Sequence, residues 1–531
     1  MPHSVRMDFS RKSVHQNIFF LLLATLVVAM PTSKFLMSAT MIFLAANWLI
    51  EGRFRQKWHL AKSNRGLIAF VALYAIHVIW CLFSSNCGYA IDDLQKKLPL
   101  LAIPLVVLTS DYLERKKTGI LFFFYCTTVT VASIYGMVRY TCTPNIGYRN
   151  IFPHFSHIRF SINVCMALIL TLYGFYKTLN NKKLPHRKTI MAVLVVFMAV
   201  YAAILLFLQS YTAFAILAVV FVVLMGATAI RKRKNKIYPI AFVTLLAMAI
   251  GGAWLCFRHY YSEYYQLKEL SSKPLATKTA QGNPYTHAND GLVEMGNYIN
   301  NYVCEEELRT EWAKRSLLDI DSATTNGFSA YPTLVRYLNA KGLTKDSAGV
   351  CQLSTSDLHL IEQGVANPHY AKKLGLGKMF YRMFFEFDQY RYYGVVINSS
   401  MLQRIELWRN GWAVFLKHPV WGVGTGDVAD EVALSLQQRH SQLADKGLRT
   451  HNQYITLLLT FGTVGFAAIA FVFGMAVRRG KLLSSAVFVA YLCIVLVSFV
   501  SEDTLETEAG VVFVSLMFAL LSQWVAARAK Q

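Results

Sequence analysis

The sequence QRIELWRNGWAVFLKHPVWGVGTGD occupies residues 403–427, and RTHNQY at 449–454 leads into a long apolar run. In the first stretch Arg404, Trp408 and Trp412 recur at i, i+4 and i+8, so they lie on one face of a predicted helix. Tryptophan prefers the headgroup level of a membrane. The stretch therefore predicts a helix at a membrane surface, beside the start of a spanning helix.

Both stretches contain residues that stop or start helices. His418-Pro419 ends the first helix, because the residue before a proline is disfavoured in the α conformation. The glycines of GVGTGD at 422–427 allow the backbone to approach a ligand or another helix, and the P-loop ending GK[ST] is absent. Asn452 is predicted to cap the helix that follows.

Three side chains in these stretches have both a structural and a functional interpretation. The spacing of Arg404 and Arg409 favours an interfacial anchor with extended arginines. It also allows both arginines to bind a phosphorylated group, because guanidinium donors match phosphate oxygens. His451 lies at a helix start, where the dipole disfavours a cation, so it is suited to accept a proton. An ordinary interfacial histidine explains it as well.

The composition predicts a membrane protein. Hydrophobic residues make up 55% of the 531 positions, and the mean hydropathy is +0.36. The apolar residues form blocks of about 16–22, the length that spans a hydrocarbon core. Backbone groups in lipid must pair internally, so the spans are helices. We expect an all-α polytopic protein with about 12 transmembrane helices and both termini in the cytoplasm.

The formal charge of +23 is explained by membrane topology. About half of the Lys and Arg residues fall in short segments between apolar blocks, which is the positive-inside pattern. These segments are 1–16, 51–65, 111–118, 177–188, 231–236, 478–481 and 528–531. The pattern argues against nucleic acid as a partner and indicates the lipid bilayer instead.

The sequence divides into three parts. Residues 1–257 hold nine predicted spans, and residues 451–531 hold spans 10 to 12. Residues 258–450, which include the motif region 402–450, contain no spanning helix and predict a large, mainly helical periplasmic insertion between spans 9 and 10. A Cys304–Cys351 disulfide is possible there in an oxidising compartment.

Further candidates lie outside the motif region. Arg159 lies one turn into an apolar run, and a charge within a span is a functional candidate. The long side chain of Arg159 can also extend to the membrane surface. Ser210 and Tyr211 lie at the turn between spans 7 and 8, where they can cap the helices. The acidic loop at 502–506 is expected to be solvated, and nothing in the sequence supports a metal site.

The order Arg-x-x-x-Trp, His-Pro-x-x-Gly-x-Gly-x-Gly, His-Asn-x-Tyr and then an apolar span with Gly462 and Gly465 resembles the O-antigen ligase family, over about 403–466. This family includes O-antigen polymerases and protein O-oligosaccharyltransferases. The stretches LVEMGNYI (292–299) and LETEAG (505–510) resemble a subgroup with an enlarged insertion.

The resemblance implies a glycosyltransferase of the bacterial inner membrane with its large loop in the periplasm. It implies a polyprenyl-pyrophosphate-linked glycan as donor and a hydroxyl acceptor, in the ligases a sugar of lipid A-core. The chemistry is expected to be inverting and metal-independent, without a cofactor. Arg404 and His451 correspond to the family's catalytic arginine and histidine, with Asn452, Trp408, Ser210 and Tyr211 in support.

One family arginine has no counterpart, because the turn between spans 7 and 8 reads Gln209-Ser210-Tyr211-Thr212. Arg159 is the candidate substitute as a pyrophosphate ligand, and Arg409 is the second. Polymerase and protein O-glycosyltransferase remain alternatives with the same donor. A non-catalytic lipid or glycan transporter is an alternative from another class.

Overall fold

The computed structural model describes residues 11–110, 113–143, 151–152, 156–268, 271, 274–288, 290–371, 376–397 and 399–529. Within them the chain is mostly helical and forms two compact units. The first unit combines Met1–Arg231 with Gln403–Gln531, and the second is Lys232–Leu402. The ten N-terminal residues, part of the basic segment 1–16 used above to place the N-terminus, lie outside the described residues.

Ten α-helices precede the boundary at Arg231 among the described residues. They are α1 (Arg11–Ala29), α2 (Lys34–Glu51), α3 (Phe54–Ser63), α4 (Arg65–Trp80), α5 (Cys87–Lys97), α6 (Pro99–Leu108), α7 (Arg115–Cys142), α8 (His157–Asn180), α9 (Arg187–Leu208) and α10 (Tyr211–Arg231).

The second unit has six helices and one short hairpin among its described residues. They are α11 (Ile237–Tyr265), β1 (Val293–Glu294), β2 (Asn297–Tyr298), α12 (Glu305–Arg315), α13 (Ala330–Lys341), α14 (Ser347–Cys351), α15 (Thr355–Glu362) and α16 (Leu376–Tyr393).

The described part of the motif region and of the C-terminal segment contains five further α-helices. They are α17 (Ser400–Lys417), α18 (Val428–Gln438), α19 (Gln453–Arg479), α20 (Ala486–Ser501) and α21 (Glu508–Ala529). The predicted helix around Arg404 and its end before His418-Pro419 are confirmed.

Ten of the described helices are long and apolar enough to cross a membrane, so a multi-pass helical membrane protein is confirmed. They are α1, α2, α4 together with the 3-10 turn that continues it to Phe83, α7, α8, α9, α10, α11, α19 and α21. Two predicted spans correspond to shorter helices, α6 with 10 residues and α20 with 16. A 10-residue helix is about 15 Å long, half of the hydrocarbon core. The count of twelve therefore stays a prediction.

Glycines bring α4 and α19 together along the length of the bundle. A Cβ on Gly66 would lie 3.3 Å from the carbonyl oxygen of Ala476, and a Cβ on Gly465 would lie 2.7 Å from the ring of Trp80. Small residues at such crossings allow two helices to approach closely in a membrane, where packing rather than water drives association. These contacts hold α19, whose first turn follows His451, against α4.

The second unit has a hydrophobic core of its own. Leu308 and Trp312 of α12 pack with Leu334 and Leu338 of α13, and all four are buried. The helices α12 and α15 both lie in this unit. The two cysteines of the possible disulfide are free, with Cys304 buried and Cys351 exposed.

Candidate active site

Arg404 binds the loop that follows α20. Its Nε donates to the carbonyl oxygen of Ser501 (3.1 Å), and its Nη2 donates to Oε1 of Glu502 (2.9 Å). Glu502 is buried, whereas 20% of the Arg404 side chain is exposed. The guanidinium is therefore held in one orientation by a buried carboxylate and still reaches the surface, which suits a group that binds a ligand.

The turn between α9 and α10 is linked to the same loop. The hydroxyl of Thr212 is 2.7 Å from that of Ser501, whose carbonyl accepts from Arg404. The hydroxyl of the buried Ser210 is 3.0 Å from that of Ser161 on α8. Ser210 therefore joins the turn to α8 two residues after Arg159.

Arg159 approaches the site from the first turn of α8. Its Nε is buried and has no hydrogen-bond partner among the described residues. The charges that act on its guanidinium are those of Glu502, Asp503 and Arg449. A buried donor without a partner is costly, so a functional role is the expected compensation. The structure thus brings Arg159 to the same loop as Arg404.

Asp503 fixes the backbone of His451. His451 has a left-handed φ of 51°, and its N–H donates to Oδ2 of Asp503 (2.7 Å). The other carboxylate oxygen accepts from the hydroxyl of Thr456 (2.7 Å). The predicted cap is confirmed, since Oδ1 of Asn452 accepts from the N–H groups of Tyr454 and Ile455. The histidine ring makes no hydrogen bond to another described residue, so it is available to a substrate.

A second group of charged side chains surrounds Glu506, at the end of the loop that follows α20. Its Oε2 accepts from Nζ of Lys97 (2.9 Å), and its carbonyl accepts from Nη1 of Arg449 (2.8 Å). Lys97 also donates to Asp93 (2.5 Å), one turn back on α5. Gln453 donates to Oε1 of Glu506 (3.1 Å). The group ties α5, the chain before His451 and the chain before α21 into one unit.

The pKa values of these acids follow from burial and from their partners. Burial raises the pKa of Asp93 to about 6, and the charge of Glu506 adds to the rise. Burial also opposes the charge of Glu506, but Lys97 and Arg449 outweigh it and lower the pKa of Glu506 to about 2. Burial raises the pKa of Asp503, again with Glu506 as the next cause.

The expectation that the acidic loop is solvated is wrong. Glu502, Asp503 and Glu506 are 6%, 4% and 8% exposed. Sequence reasoning missed the charged partners of Glu506, because Lys97 and Arg449 are separated from it by long intervening segments. The available signal was the charge itself: LETEAG places two carboxylates directly before an apolar helix, where an unpaired charge is costly.

The glycine turn packs against α19. At Gly462 the backbone of α19 leaves the helical conformation (φ 62°, ψ −171°), and the N–H of Gly424 donates instead to the carbonyl of Thr460 (3.0 Å). A Cβ on Gly422 would lie 2.4 Å from that carbonyl oxygen. Of the two alternatives for these glycines, the structure supports the approach to another helix. The turn and the kink fix each other, and so fix the direction of α19 below His451.

The remaining candidates lie at the edge of this group. Trp408 follows Arg404 by one turn, and its buried Nε1 has no hydrogen-bond partner among the described residues. Arg409 is exposed and lies roughly 140° around the helix from Arg404. Tyr211 is 57% exposed beside the buried Ser210. The described residues contain no group of three or more His, Cys, Asp or Glu side chains placed to hold a metal ion.

Residues 397–470 match a protein-family model described as O-antigen ligase. The match contains five of the predicted site residues: Arg404, Trp408, Arg409, His451 and Asn452. Three others lie outside it: Arg159, Ser210 and Tyr211. No curated protein matches the chain. The segment that carries Arg404 and His451 is therefore similar to the O-antigen ligase family, as its motifs predict.

Proposed function

We propose that this protein transfers a glycan from a polyprenyl-pyrophosphate donor to a hydroxyl group, and that it ligates O-antigen to a sugar of lipid A-core. The acceptor oxygen attacks the anomeric carbon of the donor, the bond from that carbon to the pyrophosphate breaks, and polyprenyl pyrophosphate leaves. The hydroxyl proton passes to a base. The observation that carries the proposal is the convergence of Arg404, Arg159 and His451 on the loop 501–506, within a bundle whose motif segment is ligase-like.

The two arginines suit the leaving group. A departing pyrophosphate develops negative charge, and donors fixed before the reaction stabilise that charge without reorganising. Arg404 is oriented by Glu502, and Arg159 has a buried donor with no described partner. Arg159 therefore takes the place of the arginine absent from the turn at 209–212, while the exposed Arg409 is the weaker candidate for this role.

His451 suits the role of base. Its backbone is held by Asp503, and the available ring can accept the acceptor proton or bind the pyrophosphate. Asn452 supports it by capping α19, and Ser210 by joining the turn to α8. Trp408 is placed to contact the donor beside Arg404. Neither step requires a metal or a cofactor.

The orientation in the inner membrane follows from the positive-inside rule. The basic loops at 51–65, 177–188 and 478–481 lie in the cytoplasm, as do both termini. The ends of α8, α17 and α19 that carry the site, together with the insertion, then face the periplasm. Twelve crossings, with α6 and α20 as short spans, agree with this arrangement.

The test is transfer by the purified full-length protein in nanodiscs with lipid-linked O-antigen and lipid A-core. We expect His451→Ala and Arg404→Ala each to lower the rate by about 10²-fold or more. Arg439→Ala, at an exposed arginine on the end of α18, is the matched control and should leave the rate unchanged. Because Arg404→Ala leaves Glu502 buried without its partner, R404Q/E502Q separates folding from catalysis. Transfer that survives both His451→Ala and Arg404→Ala overturns the assignment.

The acceptor decides between the enzymatic alternatives. Extension of the donor chain without transfer to lipid A-core would favour a polymerase, and transfer to serine or threonine of a protein would favour an O-oligosaccharyltransferase. A transporter would move the lipid-linked glycan without cleaving it, and neither His451→Ala nor Arg404→Ala would act on that movement except through stability.

A further inference from the structure

A cavity of about 210 Å³ lies next to His451 within the first unit. α18 forms one wall, and the chain at 444–450 forms another. Tyr89 of α5 and Glu506 complete the lining. Arg449 and Thr450 line the cavity directly before His451 in the chain, so the cavity lies beside the segment that carries the candidate base.

The lining has one apolar face and one polar face. Val428 and Val432 of α18 contribute the apolar face. On the polar face the hydroxyl of Tyr89 accepts from Nη2 of Arg449 (2.9 Å), and Glu506 accepts from the same guanidinium. Ligand sites typically combine mostly apolar walls with a few fixed polar groups that set orientation.

The charges around this cavity pair with one another. Arg449 and Lys97 are matched by Glu506 and Asp93, so the lining gives no excess charge that would attract a phosphate. The volume is below the roughly 300–1,000 Å³ of sites for drug-sized ligands, and suits one ring rather than a chain. A flat ring with hydroxyls at its edge matches an apolar wall that faces polar groups.

We propose that this cavity receives the sugar that carries the acceptor hydroxyl, a single neutral pyranose ring. This inference rests on the proposed function and adds to it an acceptor subsite separate from the phosphate-binding arginines. Arg449 and Tyr89 orient the ring, and α18 supplies the wall against which it packs. The cavity therefore sets which acceptor is used, whereas Arg404 and Arg159 serve the donor.

The test fills the cavity without changing its charges. Ala433 on α18 lines the cavity, whereas its neighbour Leu434 is 47% exposed. We expect Ala433→Phe to raise the KM for lipid A-core at least tenfold, with kcat and the KM for the lipid-linked donor changed less than twofold. Leu434→Phe, which adds a ring to the same helix outside the cavity, should change none of the three. A lower kcat at an unchanged acceptor KM, or equal effects of the two variants, overturns the proposal.

A second measurement separates this inference from the proposed function. Saturation-transfer NMR follows binding of the core oligosaccharide, released from lipid A by mild acid, to the full-length protein in nanodiscs. Binding by the parent and by Leu434→Phe but not by Ala433→Phe supports the subsite, even if the parent transfers no glycan. Transfer by the parent with equal oligosaccharide binding by all three proteins leaves the proposed function standing and refutes the subsite.

Discussion

Lys97 of the first unit and Lys345 of the second are both buried, and their partners differ. Lys97 of the first unit is 3% exposed and donates to the carboxylates of Asp93 and Glu506. Lys345 of the second unit is fully buried and donates only to neutral oxygens, those of Tyr298, Asn301 and Asn339.

The partners give the two amines opposite pKa shifts. Burial acts to lower the pKa of Lys97, but Glu506 and Asp93 outweigh burial and raise it. Burial alone acts on Lys345 and lowers its pKa to about 7. The first lysine is an ion that holds distant segments of the candidate site together. The second lysine is a hydrogen-bond donor that joins segments within the second unit.

Replacing each lysine by methionine tests this difference most strongly. Lys97→Met leaves the buried Asp93 without its cation and Glu506 with Arg449 alone, so we expect it to lower the free energy of unfolding by about 3–5 kcal/mol. Lys345→Met leaves neutral acceptors unsatisfied and should cost about 1–3 kcal/mol. Thermal unfolding of the purified variants measures both.

A triple variant serves as the control. In D93N/K97M/E506Q no charge of the group except Arg449 remains, so it should recover part of the stability that Lys97→Met loses. An equal loss for the two single lysine variants, with no recovery in the triple variant, would contradict the distinction between charged and neutral partners.

The donor site gives a smaller expected effect, on rate rather than on folding. Arg159→Gln removes a guanidinium whose hydrogen bonds to a charged group are worth about 1.5–3 kcal/mol, so transfer should fall roughly 10- to 100-fold. The melting temperature should stay the same, because the Nε of Arg159 has no described partner to lose. Arg409→Gln is the matched substitution on α17. A larger loss of transfer for Arg409→Gln would move the missing phosphate ligand to that position.

The smallest expected effect is the pH dependence that Lys345 adds. Between pH 7 and about 10 the folded protein has released this proton, whereas the unfolded chain keeps it to its ordinary pKa of about 10.4. The unfolded state binds more protons there, so stability rises with pH. The difference in unfolding free energy between the parent and Lys345→Met should therefore grow from pH 7 to pH 9. A difference that is flat or shrinks would show that Lys345 keeps its charge when folded.

Much of the local structure could be predicted because its causes are local. The spacing of Arg404, Trp408 and Trp412 gave α17, and His418-Pro419 gave its end. Asn452 caps α19 through atoms two and three residues away. The kink at Gly462 was not predicted, because it depends on the docked turn at 422–424 rather than on the sequence of α19.

The sequence by itself determined the membrane helices, their caps and the ligase-like motif, since hydrophobic length, periodicity and capping act within a few residues. Only the tertiary structure decided which charges meet. Lys97 and Glu506 are 409 positions apart, and Arg404 and Glu502 are 98. An ion pair gains its energy over a few ångströms, so its partner is set by which helix ends the packing brings together. For this reason the acidic loop looked solvated in the sequence and is the buried centre of the site in the fold.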